Sequence, residues 1–255
     1  MYVATLIANS KNRNLSELIL KQVVNDLGGV KYKVLDDNIA IDINLVSEPS
    51  NFEIVWKQLQ KHQIDIVIQP IKNRRKNILL ADMDSTMIEQ ECIDELADEA
   101  GVGKRVAEIT KRAMNGELDF EDALIERVKL LKGLSSDIIV NVLKERITLM
   151  PGAESLIKTM KNNGSYCALV SGGFTDFTEA ISKILGFDEN RANTLLQKNK
   201  ILTGEVQFPI LGRQAKVEAL TDITKKFGCA HNDVIAVGDG ANDLGMLTKA
   251  GMGVA

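Results

Sequence analysis

Hydrophobic and polar positions divide the chain into two regions with different patterns. In residues 1–71, short apolar runs alternate with amphipathic stretches in the order βαββαβ. The pattern predicts strands over 2–8, 30–35, 38–46 and 64–69, and helices over 15–27 and 52–61. That order is typical of a small ferredoxin-like domain. The basic run at 72–77 is interpreted as a solvated linker to the second region.

The second region is α/β and is interrupted by helices. The run at 78–81 is wholly apolar, which is typical of a parallel strand covered on both faces. Residues 89–150 show only helical steps, and α/β alternation resumes after residue 151. Further strands are predicted over 166–170 and 234–237 and at 251–255, a hairpin over 193–208, and helices over 153–162 and 213–227. We predict a doubly wound parallel sheet from 77–88 and 151–255, with a helical cap, 89–150, inserted after its first strand.

Polar or glycine-rich loops follow three of the predicted strands. Asp82 and Asp84 follow the first strand, Ser171 the second, and a Gly-Asp-Gly-Ala-Asn-Asp run at 238–243 the last. The carboxyl ends of parallel strands share one edge, where open α/β sheets bind ligands. We therefore expect an active site there. An EF-hand is set aside because Met87 stands where its glycine is required, although Asp82 could also simply cap a helix.

Composition narrows the class of protein. The 255-residue chain has a net charge of −4, which gives no general attraction to nucleic acid or to an anionic membrane. Its three cysteines are far apart and lack Cys-x-x-Cys spacing, which favours reduced thiols. Neither a signal peptide nor an apolar stretch of membrane-spanning length is visible. We therefore expect a cytoplasmic protein that binds neither nucleic acid nor membrane.

Four motifs in order carry a resemblance to a known family. Asp82-x-Asp84-x-Thr86, Ser171, Lys216 and the 238–243 run resemble the motifs of the haloacid dehalogenase-like hydrolase superfamily. Over about residues 77–255 the chain also resembles the phosphoserine phosphatases of that superfamily, at Glu91, Met114-Asn115-Gly116, Phe120, Glu126-Arg127-Val128 and Leu202-Thr203-Gly204. The resemblance implies Mg²⁺-dependent hydrolysis of O-phospho-L-serine through an aspartyl-phosphate, the last step of L-serine biosynthesis.

The resemblance also implies roles for the residues around the reacting phosphate. Asp82 would be the nucleophile, and Asp84 the general acid and base. Mg²⁺ would be bound by Asp82, the main-chain carbonyl of Asp84 and Asp239, with Asp243 in support. The remaining phosphate contacts would come from Ser171, Gly172, Lys216 and Asn242, with Thr86 in support. From the residues alone, Lys216 could be solvated, and Ser171, Asn242 and Asp243 could be helix caps.

The cap would recognise the rest of the substrate. Arg127 lies on a helical stripe with Phe120 and Leu124, so its charge needs either a partner or a route to water. By resemblance Arg127 binds the substrate carboxylate and Glu91 the ammonium group. Met114 and Phe120 would line the cap, which would close over the substrate to exclude water. Met and aromatic residues at this spacing are otherwise typical of core.

Two other functions are compatible with the sequence. One alternative is a phosphatase or phosphotransferase of the same superfamily with another small substrate. Another is a serine-sensing protein in which catalysis is vestigial. Residues 1–71 resemble amino-acid-binding regulatory modules in their order of strands and helices, but no binding motif is visible there, which favours an interaction domain that supports a homodimer.

Overall fold

The computed structural model describes residues 1–255, and the chain divides into two units, residues 1–75 and 76–255. The first unit is a four-stranded antiparallel sheet in the order β2-β3-β1-β4. Its elements are β1 (Tyr2–Ala8), α1 (Glu17–Leu27), β2 (Lys31–Asp36), β3 (Ala40–Leu45), α2 (Phe52–Gln60) and β4 (Ile64–Pro70). The predicted ferredoxin-like order is therefore confirmed.

Alternation along the strands builds the core of the first unit. Leu6 of β1 and Ile43 of β3 are fully buried and pack with the apolar faces of both helices. The helix α1 begins two residues later than predicted because Ser16 caps it, its hydroxyl accepting from the Ile19 N–H (3.4 Å). It ends at Gly28, whose φ of 66° is easily adopted only without a side chain.

Arg74 corrects the interpretation of the basic run as a solvated linker. Its Nη1 lies 2.6 Å from Asp42 Oδ2, and its Nη2 donates to Thr5 Oγ1 (3.0 Å). Asp42 and Thr5 lie on neighbouring strands of the first sheet. Part of the run is therefore held against the sheet, because a nearly buried carboxylate on β3 requires a counter-charge.

The second unit contains a parallel sheet of five strands in the order β11-β10-β5-β6-β7. These are β5 (Ile78–Ala81), β6 (Tyr166–Phe174), β7 (Glu189–Asn193), β10 (Val234–Val237) and β11 (Met252–Val254). The helices around the sheet are α7 (Ala153–Asn162), α8 (Thr175–Leu185), α9 (Arg213–Phe227) and α10 (Leu244–Lys249). Leu79 of β5 packs with α7 and α8, and Leu80 with α9 and α10, so both faces are covered as predicted.

The edge strand β7 was not predicted. The hairpin expected over 193–208 is shorter, with strands β8 (Leu195–Lys198) and β9 (Ile201–Val206), and Asn193 instead ends β7. The other residues of β7 are half-buried, and all but one of them are polar. An edge strand of this kind has no apolar periodicity to reveal it.

Four helices form the insertion between β5 and β6, namely α3 (Cys92–Glu99), α4 (Gly103–Met114), α5 (Phe120–Lys129) and α6 (Asp137–Glu145). The segments entering and leaving this cap run antiparallel, with a bridge between Ile88 and Leu149. Gln90 and Thr148 reinforce it, since Gln90 Nε2 donates to Thr148 Oγ1 (2.8 Å) and the Thr148 N–H donates to Gln90 Oε1 (2.9 Å). No helix in the structure has the length and hydropathy to cross a bilayer.

Candidate active site

Three carboxylates meet at the carboxyl edge of the parallel sheet. Asp82 directly follows β5, and Asp239 and Asp243 lie in the loop after the adjacent strand β10. The Asp82 N–H donates to the Val237 carbonyl (2.9 Å), which holds the two strand ends side by side. One side-chain oxygen from each carboxylate lies within 4.8 Å of the others. The sheet thus brings together acidic residues that are far apart in the chain.

Lys216 supplies positive charge to this cluster. It projects from α9 and is only 2% exposed. Its Nζ lies 2.7 Å from Asp82 Oδ1 and 2.5 Å from Asp243 Oδ1. The alternative of a solvated lysine is therefore excluded. Burial raises the pKa of Asp82, and the neighbouring Lys216 ammonium partly opposes that increase.

The cluster has the donor chemistry that a hard divalent cation requires. Three carboxylates against one ammonium leave an excess of negative charge, and carboxylate oxygens are the preferred ligands of such ions. Thr86 Oγ1 donates to Asp239 Oδ1 (3.1 Å) and so orients that carboxylate. The side chain of Asp84 is not part of the cluster. The Asp243 carboxylate accepts from the Gly240 N–H (3.0 Å) and does not cap α10.

Asp84 is held in a separate hydrogen-bond arrangement. Its Oδ1 accepts from the Cys92 N–H (2.8 Å), and its Oδ2 accepts from Ser171 Oγ (3.2 Å). Ser171 Oγ in turn accepts from the Gly173 N–H (2.8 Å). A Cβ atom on Gly173 would lie 2.7 Å from Asp84 Oδ2, so this close approach requires glycine. Burial raises the pKa of Asp84, and its hydrogen bonds to Cys92 and Ser171 oppose that increase.

The segment from Asp84 to Cys92 is a tight turn. Ser85 has a φ of 53°, and its N–H donates to the Gln90 carbonyl (3.2 Å). The Ser85 hydroxyl donates to Glu91 Oε1 (2.8 Å). Burial, reinforced by the nearby Asp84 carboxylate, raises the pKa of Glu91 to about 7. A cation bound next to Glu91 would lower this pKa again and so favour the ionised carboxylate.

A cavity with a volume of about 390 Å³ lies over the acidic residues and under the cap. The core contributes Asp82, Asp84, the irregular end of β6 at 171–174, Asp239, Gly240 and Asn242, and the cap contributes Glu91, Ile93, Met114, Phe120, Leu124 and Arg127. Its wall therefore combines both charges with apolar surface, as expected for a site that binds a small polar molecule.

Arg127 is half-buried on the cap side of this cavity. Its Nε donates to the Ala123 carbonyl (3.2 Å), and its Nη1 donates to Thr110 Oγ1 (3.4 Å). Burial lowers the pKa of Arg127, and the carboxylates of Asp94 and Glu91 oppose that decrease. The two long hydrogen bonds leave guanidinium donors for an anionic ligand.

The structure brings the predicted site residues into one region, but in two layers. Lys216, Asp243 and Thr86 are buried beneath the cavity, whereas the other residues line it. Met114 stands at its rim, 84% exposed, rather than in a core. The sequence interpretation missed Ser85, Cys92, Gly173 and Asn193, which make hydrogen bonds in or next to the site, and Asp94, whose charge acts on Arg127. Only the glycine pair after Ser171 gave a signal, because the other contacts depend on backbone conformation or on β7.

A parallel α/β sheet with clustered carboxylates at its carboxyl edge and a helical cap over them defines the haloacid dehalogenase-like class of hydrolases. The chain belongs to this family, whose profile, described as haloacid dehalogenase-like hydrolase, matches residues 79–248. Enzymes of this kind use a divalent metal, which agrees with the acidic cluster.

Similar proteins and solved structures within this family include phosphoserine phosphatases. The chain is 43% identical over 201 residues to a phosphoserine phosphatase of Archaeoglobus fulgidus, covering 78% of this chain and 58% of that protein. It therefore spans less than two thirds of this relative. A solved phospho-aspartyl intermediate analogue of phosphoserine phosphatase is 46% identical, with a TM-score of 0.66 over 71% of this chain and 87% of that one. A family hydrolase from Salmonella enterica serovar Typhi is 29% identical, with a TM-score of 0.86 over 100% of this chain and 88% of that one.

Proposed function

We propose that the protein hydrolyses O-phospho-L-serine to L-serine and inorganic phosphate with Mg²⁺ as cofactor, as the last step of L-serine biosynthesis. The observation that carries the proposal is the cavity. Its wall holds the carboxylate of Asp82, the positive charge of Arg127 and the negative charge of Glu91. Asp82 would attack the substrate phosphate, Arg127 would bind the carboxylate, and Glu91 would bind the ammonium group. The similarity to phosphoserine phosphatases at 43% and 46% identity supports the same substrate.

Asp82 and Asp84 divide the reaction into two displacements. In the first, an Asp82 carboxylate oxygen bonds to phosphorus, the bond from phosphorus to the serine oxygen breaks, and Asp84 gives its proton to that oxygen. In the second, water attacks the phosphorus of the aspartyl-phosphate and loses a proton to Asp84, and the bond to Asp82 breaks. The Asp82 carboxylate and the protonated Asp84 carboxyl are restored, and serine and phosphate leave as separate products.

The remaining residues bind and orient the phosphoryl group. Ser171, Gly172, Lys216 and Asn242 would supply its hydrogen-bond donors. Asp82, Asp239 and the main-chain carbonyl of Asp84 would hold Mg²⁺, with support from Asp243 and Thr86. The bound ion would offset the repulsion between an anionic nucleophile and an anionic phosphate.

Further parts of the proposal concern the whole chain. We assign residues 1–71 to an N-terminal domain, 77–88 and 151–255 to the catalytic core, and 89–150 to the cap. The break between the two units at residue 75 supports the first boundary. We further propose a cytoplasmic location and a homodimer that forms through the N-terminal domain. Sedimentation analysis of the full chain tests the dimer.

The decisive experiment measures phosphate release from a panel of phosphorylated metabolites, with Mg²⁺ and with a chelator. We expect phosphoserine to be the best substrate, ahead of phosphothreonine, phosphohomoserine and sugar phosphates, and chelation to abolish release. A preference for a sugar phosphate would assign a different substrate to the same chemistry. Serine binding without magnesium-dependent release would instead support a sensor with vestigial catalysis.

Arg127 gives a prediction about specificity. Arg127→Met should lower kcat/KM for phosphoserine at least about 30-fold, because truncating one partner of a buried charge pair costs about 2–5 kcal/mol. Phosphoethanolamine keeps the ammonium group but lacks the carboxylate, so its kcat/KM should change little. Arg112→Met is the matched control, since Arg112 pairs with Glu126 on the cap surface. Equal losses for both substrates would argue against a carboxylate contact.

Glu91 gives a prediction about pH. Its pKa of about 7 means that its carboxylate gains a proton as the pH falls through neutrality and no longer attracts an ammonium group. KM for phosphoserine should therefore rise on acidification. Because the substrate phosphate also titrates at about pH 6, Glu91→Gln is the control, and its KM should start high and rise less. Parallel KM profiles for both proteins would assign the titration to the substrate alone.

A further inference from the structure

Asn193 ends the edge strand β7 and is only 2% exposed. Its side-chain amide makes three hydrogen bonds to main-chain groups. Nδ2 donates to the carbonyls of Gly172 (2.8 Å) and Leu211 (3.2 Å), and Oδ1 accepts from the Leu211 N–H (2.7 Å). Both amide hydrogens are used, so the side chain is held in a single orientation.

The two segments that Asn193 joins are separate parts of the proposed phosphoryl site. Gly172 follows Ser171, whose hydroxyl donates a hydrogen bond to the Asp84 carboxylate. Leu211 and Gly212 lead directly into α9, the helix that carries Lys216. One buried amide therefore fixes the spacing between the irregular end of β6 and the start of the helix that provides the ammonium group.

The cap meets the core on these same two segments. A Cβ atom on Gly172 would lie 2.9 Å from Phe120 Cζ, and one on Gly212 would lie 3.2 Å from Phe120 Cδ1. The Phe120 ring of α5 therefore packs against both glycines, with Asn193 joining their segments. Asn193 itself does not line the cavity.

We propose that Asn193 is a positioning residue for phosphoryl transfer, which sets the placement of the Ser171–Gly172 segment of β6 relative to Lys216 without touching substrate. The inference rests on the proposed function in one respect only, that this segment binds a phosphoryl group. Asparagine suits the position because the site presents two carbonyls and one N–H, which require two donors and one acceptor. An aspartate of the same shape would turn acceptor oxygens toward both carbonyls.

Two variants and one control test this role. Asn193→Asp should lower kcat about 10- to 100-fold, since a displacement of about 1 Å can reduce a rate about 10²-fold. Asn193→Ala should act in the same direction and serves if the first variant does not fold. Asn190→Ala is the matched control, because Asn190 lies on the same strand and accepts from Thr178 Oγ1 (2.9 Å) away from the cavity. Its kcat should stay close to that of wild type, because the side chain of Asn190 bonds to Thr178 and not to Gly172 or Leu211.

Affinity for orthophosphate, measured by calorimetry on the folded full chain with Mg²⁺, separates positioning from stability. Both Asn193 variants should bind orthophosphate more weakly than Asn190→Ala at a matched loss of urea stability. If all three variants lose stability but keep wild-type kcat and orthophosphate affinity, Asn193 is only structural and the inference is wrong. A wild type that turns over another monoester refutes the proposed substrate, while the orthophosphate comparison still decides the role of Asn193. A wild type that binds no orthophosphate overturns the inference.

Discussion

Asp82→Asn is expected to abolish phosphate release from phosphoserine while the fold is retained. An amide oxygen can still accept from the Lys216 ammonium, but it is too weak a nucleophile to attack phosphorus. Loss of a covalent nucleophile lowers turnover by at least about 10⁴-fold in comparable cases. The measurement is phosphate release at saturating substrate, together with acid quenching and mass spectrometry for a phosphorylated peptide that contains Asp82.

The matched control is Asp222→Asn, which removes the same charge from a surface pair between Asp222 and Arg191. It should keep wild-type turnover and stability, because exposed ion pairs contribute about 0–1 kcal/mol. Substantial turnover by folded Asp82→Asn protein would assign the nucleophile to another residue and remove the basis of the two-step mechanism.

Lys216→Met is expected to cause the largest loss of stability. Lys216 separates two buried carboxylates, Asp82 and Asp243, at 2.7 and 2.5 Å. Removing one partner of a buried ion pair costs about 3–5 kcal/mol, because the remaining charge is uncompensated. Urea unfolding without metal measures this loss, and phosphate release should fall with it. Mg²⁺ should restore part of the stability of the variant, because a divalent cation offsets the same repulsion.

Lys225→Met on the exposed side of the same helix is the control for this experiment. It should change the free energy of unfolding by no more than about 0.5 kcal/mol, as exposed substitutions usually do. If Lys216→Met unfolds at the wild-type urea concentration without metal, the charge balance described for the cluster is incorrect.

Residues that directly follow an apolar strand could be predicted from the sequence. The wholly apolar run at 78–81 indicated a central strand, and parallel pairing requires that Asp82 and the loop after β10 share an edge. The covering of both faces then follows from β-α alternation. For these reasons the fold class and the meeting of the acidic residues were accessible without coordinates.

Contacts made through polar edges or unusual backbone conformations could not be predicted. The strand β7 carries few apolar residues, so neither the strand nor Asn193 gave a periodic signal. Arg74 pairs with a carboxylate on a strand far earlier in the chain, and no local pattern reports such a pair. The bond from Ser85 to Glu91 depends on a left-handed backbone at a residue other than glycine, which sequence propensities disfavour.

That left-handed residue has a consequence for how recognition and chemistry are linked. The turn is closed at both ends, by the Cys92 N–H on Asp84 and by the Ser85 hydroxyl on Glu91. In the proposed mechanism, the residue assigned as proton donor and the carboxylate assigned to the amine are thus held by one hydrogen-bonded turn. Under the proposed function, a change in this turn would therefore affect both binding of the substrate amine and proton transfer from Asp84.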